Sequence, residues 1–273
     1  MLLHFGYAPT LIVSSSDMAR EITKNHDIIF CNRPKSRAAD IFFYGCKDIG
    51  FASYSEYSRQ GRKVCVLELL SLRRYCPLSF IVARCILGRK LQEDDGLISS
   101  LKATFRELDP FLEEVIEDHK TDVNDMSKME YLKCVFKETL RLHPPAALIY
   151  RETSEIVKLR GYDIPPKVMV LINSWAIHRD PNLWDRPEEF VPERFEKNPI
   201  DIKGLDFHYI PFGFGRRGCP GVTFGVFAVE CLMANLLHWF DWKQPEELDM
   251  DEVSGFTVHK KNPLLLVPIP NSP

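Results

Sequence analysis

The eight cysteines contain no Cys-x-x-Cys pair and lie scattered between Cys31 and Cys231. This excludes the usual zinc and dithiol-redox frameworks. In a chain of 273 residues it also excludes a small disulfide-stapled secreted domain. Most of these thiols read as reduced and buried. There is no excess of positive charge: the formal net charge is -3, so no electrostatic footprint for nucleic acid is present. No internal repeat or low-complexity tract occurs. No apolar run reads as a membrane span, because the longest, residues 221–240, carries Glu230 near its centre with Asn235 and His238 close by. It reads instead as a buried helix. Met1-Leu2-Leu3-His4-Phe5-Gly6 has neither the order of a secretory signal nor that of an anchor, and reads as a strand inside a folded domain. What is left is ordinary globular composition, 45% apolar and 27% charged. A chain of this length can bury roughly 75% of its unfolded surface.

Along the chain, residues 1–15 predict a β-hairpin with Pro9 at its turn, and Asp17 predicts the cap of a short helix reaching Asn25. Residues 30–55 read as irregular. Helical composition follows over 56–72, 78–91 and 99–120, the last interrupted by Pro110. Ser127-Lys128-Met129-Glu130 has the form of a capping box. Met129, Leu132, Phe136 and Leu140 then recur at helical spacing, and His143-Pro144-Pro145 ends that run. Two or three short strands are expected over 146–172, loops over 175–211, a helix over 222–240, and strands in the tail.

One stretch carries specific chemistry: Pro211-Phe212-Gly213-Phe214-Gly215-Arg216-Arg217-Gly218-Cys219-Pro220-Gly221. It places a single cysteine at the end of a glycine-rich loop, ahead of a helix. The positive end of a helix dipole and free backbone N–H groups favour the thiolate. One thiolate is too few for zinc but is how a haem iron is held from one side. A Gly-rich hairpin with a buried thiol is the plainer reading of such a loop. Phe212, Gly215, Arg217, Cys219 and Gly221, however, fill every fixed position of Phe-x-x-Gly-x-Arg-x-Cys-x-Gly. On these residues the chain resembles the cytochrome P450 family of haem-thiolate monooxygenases, of plant microsomal type. The glycines permit close approach to a flat macrocycle. Arg217 offers a fork of donors to a haem propionate, and Phe212 can shield the sulfur from water.

The resemblance extends to a second constellation. Glu138 and Arg141 share one face of the capped helix. Val135 and Leu142 flank Glu138, so the pair does not sit on a polar face. With Arg194 of Pro192-Glu193-Arg194-Phe195 they match the family's structural triad, which locks the cysteine loop. Arg151 and Arg62 match positions that bind the haem propionates, the plain alternative for each being a surface arginine. Ala146, Ala147, Leu148, Ile149 and Phe256 match the family's substrate-recognition segments.

The resemblance also has gaps. Residues 1–74 resemble the family's first sheet and B/C-helix region, and 122–268 its C-terminal third. The long I helix belongs between Lys120 and Thr121, and its Ala/Gly-Gly-x-Asp/Glu-Thr motif occurs nowhere in the sequence. That acid–alcohol pair delivers protons to dioxygen, so no catalytic residue is identified. Ser58 stands where the family has tryptophan. The resemblance therefore implies a mainly α protein with small β-sheets, a truncated cytochrome P450 domain spanning 1–273, in which 1–120 form the N-terminal part and 121–273 the part with K helix, meander, cysteine loop and L helix. It implies haem b as cofactor, O₂ and a small apolar organic substrate, and electrons from NADPH through a reductase. Two alternatives stay open: a haem-binding protein without catalysis, and an unstable product that never loads haem. The family's location is the cytosolic face of the endoplasmic reticulum membrane; the lack of an anchor in this chain leaves a cytoplasmic one open.

Overall fold

The computed structural model describes residues 1–43, 45–70, 129–244, 248–254 and 257–270. The expected helices over 78–91 and 99–120, and Ser127 of the capping box, lie outside these residues.

A four-stranded sheet organises the described chain. Strands β1 (Leu2–Phe5) and β2 (Ala8–Val13) form a hairpin, β3 (Leu148–Glu152) pairs with β6 (Met169–Asn173), and the order is β1-β2-β6-β3. The β2–β6 pairing is parallel, Thr10 opposite Met169 through Val13 opposite Ile172. This joint ties the first residues of the chain to its C-terminal half. The hairpin turn lies at Gly6-Tyr7, not at Pro9: Phe5 faces Ala8, and Gly6 has φ of 61°. A two-residue hairpin loop needs left-handed backbone at its first position, which glycine supplies. Pro9 sits within β2 opposite His4, before the β6 pairing starts, where its missing N–H breaks no ladder to β6.

Helix α1 (Ser16–His26) starts one residue ahead of Asp17. Ser15 is its N-cap, and Asp17 lies in the first turn without capping it. The stretch read as irregular contains a short helix, α2 (Arg37–Phe42), because Ser36 accepts the Ala39 N–H at 3.0 Å. Helix α3 (Glu56–Val64) continues as a π-helical turn, Cys65–Leu69. Its N-terminus carries a capping box that the sequence reading missed: Ser55 N–H donates to Ser58 Oγ at 2.9 Å while Ser55 Oγ accepts from Ser58 N–H.

Helix α4 (Glu130–Leu142) opens at Glu130 with Met129 as an N-cap that makes no side-chain bond. Its deepest face is Cys134, Glu138 and Arg141; of the apolar ladder only Leu140 is fully buried. Between β3 and β6 the chain forms a further hairpin, β4 (Val157–Leu159) and β5 (Tyr162–Ile164). Its loop, Arg160-Gly161, has positive φ at both positions, as a tight primed turn demands. After β6 come α5 (Ser174–Ile177), a 3₁₀ turn at Pro192–Phe195, and α6 (Val222–Trp239). The tail forms β7 (Phe240–Lys243) with β10 (Val267–Pro270), and β8 (Glu252–Ser254) with β9 (Val258–Lys260).

The main core lies between the sheet, α1 and the β4–β5 hairpin, and reaches Ile210 and Phe214 beside the cysteine loop. A second cluster gathers Trp184, Phe195 and Tyr209 around α4. Helix α6 is not the fully buried helix that its sequence suggests. Cys231 and Ala234 face α4, while Val229, Leu232 and Leu237 are exposed.

Candidate functional site

The cysteine loop is shaped by its own backbone. Gly213 N–H donates to Ile210 O at 3.0 Å, Gly218 N–H to Gly215 O at 3.1 Å, and Cys219 N–H to Phe212 O at 2.9 Å. Gly213 and Gly215 have φ of 73° and 62°, which only glycine adopts without strain. At Gly215 a side chain would also collide with Asp27, since an added Cβ would lie 2.7 Å from its Oδ1. Asp27, at the end of α1, accepts the Arg216 N–H at 3.2 Å and so braces the loop from outside. Gly221 is the N-cap of α6, and an added Cβ there would lie 3.9 Å from Cys219 Sγ. Of the six cysteines among the described residues, Cys219 alone is exposed.

Around this sulfur the structure gathers four arginines. Arg217 is buried; its Nε donates to Cys31 O and its Nη2 to Ala52 O, while Nη1 is buried without a partner. Arg151, buried on the inner face of β3, donates to Tyr150 O at 3.1 Å and weakly to Phe214 O at 3.4 Å. Arg62 donates to Gly218 O from α3. The fourth, Arg33, was not singled out from sequence because it lies in a stretch without periodicity; its Nε is buried without a partner. Burial lowers the guanidinium pKa of all four, Arg151 to about 9, and repulsion from a neighbouring arginine adds to this at Arg33, Arg151 and Arg217. The Cys219 sulfur acts the other way on Arg33 and Arg62. Buried cations with unspent N–H groups are costly unless an anion joins them. The donor set fits a flat dianionic ligand held by one sulfur.

The Phe212 ring packs on the Trp184, Phe195 and Tyr209 cluster. Ile149 is 6% exposed and part of the sheet core, since alternation along β3 turns it inward with Arg151. Leu148 on the other face is exposed. Ala146 and Ala147 are half-buried, and their carbonyls accept the Ser174 hydroxyl at 2.6 and 2.9 Å. Phe256 lies outside the described residues. Ser58, where the resemblance expects tryptophan, spends its hydroxyl on the α3 cap.

Glu138, Arg141 and Arg194 meet in one network. Arg141 holds Glu138 in two parallel bonds, Nε to Oε2 and Nη2 to Oε1, both 2.8 Å, and both side chains are fully buried. Arg194 Nε reaches Oε1 at 3.1 Å, and Val191 N–H reaches the same oxygen at 2.9 Å. Burial works to raise the Glu138 pKa, but these donors and the two cations outweigh it and hold it below the usual carboxylate range. The remaining Arg141 N–H groups take the carbonyls of His178, Pro187 and Glu189. Those of Arg194 take Asp185, Arg186 and Glu189. The network thereby fixes the loop-like segment ahead of the cysteine. His178 was not read from sequence: its ring is buried, and Nε2 accepts the Ile210 N–H at 2.8 Å.

Comparison with known proteins agrees with this geometry. The cytochrome P450 family model matches residues 105–267. A phenylacetaldehyde oxime monooxygenase from Prunus mume is 34% identical over 436 residues, covering 100% of this chain and 83% of that protein. A desmethylyatein synthase from Sinopodophyllum hexandrum is 34% identical (100% and 87% covered), and a (+)-menthofuran synthase from Mentha piperita is 32% identical (99% and 86%). Matches of 424 to 436 residues exceed the 273 of this chain, so the relatives carry internal stretches without counterpart here. A zebrafish cytochrome P450 solved with progesterone shares the fold at a TM-score of 0.72 and 19% identity, covering 99% of this chain and 96% of that one. With its exposed Cys219 in a braced glycine loop and buried arginines around it, the chain belongs to the cytochrome P450 family, the haem-iron monooxygenases among the oxidoreductases.

Proposed function

We propose that this chain holds haem b through Cys219, with Arg33, Arg62, Arg151 and Arg217 around the propionates. The observation that carries the reading is the pair of buried guanidinium nitrogens without partners, Arg33 Nε and Arg217 Nη1, near Cys219, which alone is exposed among the described cysteines. Haem, when bound, supplies oxygen activation at its iron. The chain's own residues do the rest. The loop from Ile210 to Gly221 presents the sulfur; Gly221 leaves room beside it, and Gly215 lets the loop sit against Asp27. Arg217 and Arg151 neutralise anionic charge in a poorly solvated place, and Glu138, Arg141 and Arg194 keep the preceding segment in register. The β2–β6 pairing supports one domain made from residues 1–120 and 121–273.

The substrate class we propose is small and largely apolar, in line with relatives named for phenylacetaldehyde oxime and menthofuran. Electrons would come from NADPH through a reductase at the cytosolic face of the endoplasmic reticulum, although no described helix is long and apolar enough to cross a membrane. Turnover is a separate matter. The sequence has no acid–alcohol motif for proton delivery, and a positioned acid contributes about 10²–10⁴-fold. We therefore place the chain as a haem-thiolate protein with weak, poorly coupled oxygenation.

The test is the carbon monoxide difference spectrum of the purified chain, followed by a reductase assay tracking NADPH and product. A thiolate-type Soret band that Cys219→Ala abolishes and Cys231→Ala keeps is the expected result, with the electrons of NADPH going mainly to reduce O₂ to hydrogen peroxide. A thiolate band surviving in Cys219→Ala overturns the ligand assignment, and tightly coupled product formation overturns the reading of weak turnover.

A further inference from the structure

His178 stands at the corner after α5, between the charged network and the cysteine loop. Its carbonyl accepts Arg141 Nη1 at 2.8 Å. Its ring is 0% exposed and lies beside Tyr209, centroids 5.4 Å apart. Nε2 accepts the Ile210 N–H at 2.8 Å, which leaves the ring proton on Nδ1, where it is buried without a partner. A ring protonated on Nε2 would set two N–H groups against each other. The neutral tautomer is therefore imposed by Ile210, at the cost of one unmet donor. A side chain kept at such a cost has a demanding partner. Ile210 is that partner because it roots the loop: its own carbonyl takes Gly213 N–H at 3.0 Å, Pro211 has no N–H to give, and Phe212 O then takes Cys219 N–H at 2.9 Å.

We infer that His178 is a positioning residue for the Cys219 sulfur, acting as a neutral acceptor that fixes Ile210 and, through Gly213 and Phe212, the backbone that presents the thiolate. The inference rests on the haem-thiolate reading for its consequence, but not for its geometry. Three hydrogen bonds in series run from the imidazole to the Cys219 amide. Arg141 holds the other side of the same residue, so the Glu138 network and the cysteine loop share His178 as their joint.

The experiment compares wild type, His178→Phe and His178→Gln. Phenylalanine keeps the ring and loses the acceptor; glutamine places an amide oxygen near the position of Nε2. Amide hydrogen exchange in the haem-free chain is read at Ile210 and Cys219, and the thiolate-type fraction of the carbon monoxide spectrum is read after haem loading. His178→Phe is expected to speed exchange at both amides by about tenfold or more, the loss of one buried hydrogen bond, and to lower the thiolate fraction; His178→Gln is expected to restore both. Wild-type exchange at Cys219 together with an unchanged thiolate fraction in His178→Phe overturns the inference, as does His178→Gln behaving like His178→Phe. If His178→Phe does not fold, wild type decides: an Ile210 amide that exchanges as fast as exposed loop amides overturns the inference, and a protected one that His178→Gln preserves supports it. Absence of a thiolate band in wild type would sink the haem-thiolate reading, while the exchange data still judge His178.

Discussion

Replacing Glu138 by glutamine keeps the shape of the side chain and removes its charge. The carboxylate accepts four hydrogen bonds: Oε1 from Arg141 Nη2, Arg194 Nε and Val191 N–H, and Oε2 from Arg141 Nε. A glutamine oxygen in the Oε1 position can keep three, but its NH₂ group then faces the Arg141 Nε–H. One strong bond becomes a clash of donors, and Arg141, fully buried, loses its counter-charge. Removing one partner of a buried pair costs about 3–5 kcal/mol; the three retained contacts put Glu138→Gln near 3 kcal/mol. For a protein of this size that is about 6–12 °C in Tm, read by thermal unfolding of the haem-free chain at neutral pH. The double variant with Arg141→Met should be less destabilised than the sum of the two, with a coupling of at least about 1 kcal/mol. The Glu138 pKa is depressed in the fold, so the wild-type advantage holds above the unfolded value, about 4.3, and fades as pH falls below it. A Tm drop under about 2 °C, or additive single variants, would refute the account of a shared buried network.

Burial, together with the cations Arg141 and Arg179, pushes the His178 pKa down to about 3. The unfolded chain takes up this proton near pH 6.5 and the folded one does not, so stability declines from pH 6.5 downward, by about 2 kcal/mol at pH 5; denaturant unfolding across pH 5–7 should be visibly flatter for His178→Gln. Gly204 has φ of 72°, and a Cβ there would press on the Gly213 carbonyl and lie 3.1 Å from Phe214 Cα. Gly204→Ala should therefore destabilise by more than about 1 kcal/mol and reduce the thiolate-type band, whereas Gly61→Ala, in open space within α3, should stabilise by about 0.5–1 kcal/mol; equal effects in melting experiments would contradict this. Arg33→Met removes a half-buried cation whose Nε is buried without a partner. It should leave the haem-free chain as stable or more so and weaken haem binding in a titration, and a loss of stability without loss of affinity would show that Arg33 serves the fold alone.

The signals that could be read along the chain were short-range ones. Glycine spacing marked the turns around Cys219, and the i, i+3 spacing of Glu138 and Arg141 set them on one helical face before any partner was known. The proline pair after His143 marked where α4 stops. Each depends on residues a few positions apart. Which face of β3 turns inward depends on register, and with period two a single step exchanges Leu148 for Ile149; only the pairing with β6 settled that Ile149 belongs to the core beside Arg151. Arg33 and Asp27 reach the cysteine loop because β2 pairs with β6 and carries the N-terminal residues there. The bond from Arg217 to Cys31 spans 186 positions, a distance over which no local pattern acts. The link from His178 to Ile210 is of the same kind, a long-range closure that packing makes and sequence periodicity cannot carry. The sequence by itself determined the motif, one cysteine closing a glycine-rich loop ahead of a helix; tertiary structure decided which arginines converge on it and what holds the loop in place, because those depend on the burial and pairing of distant segments.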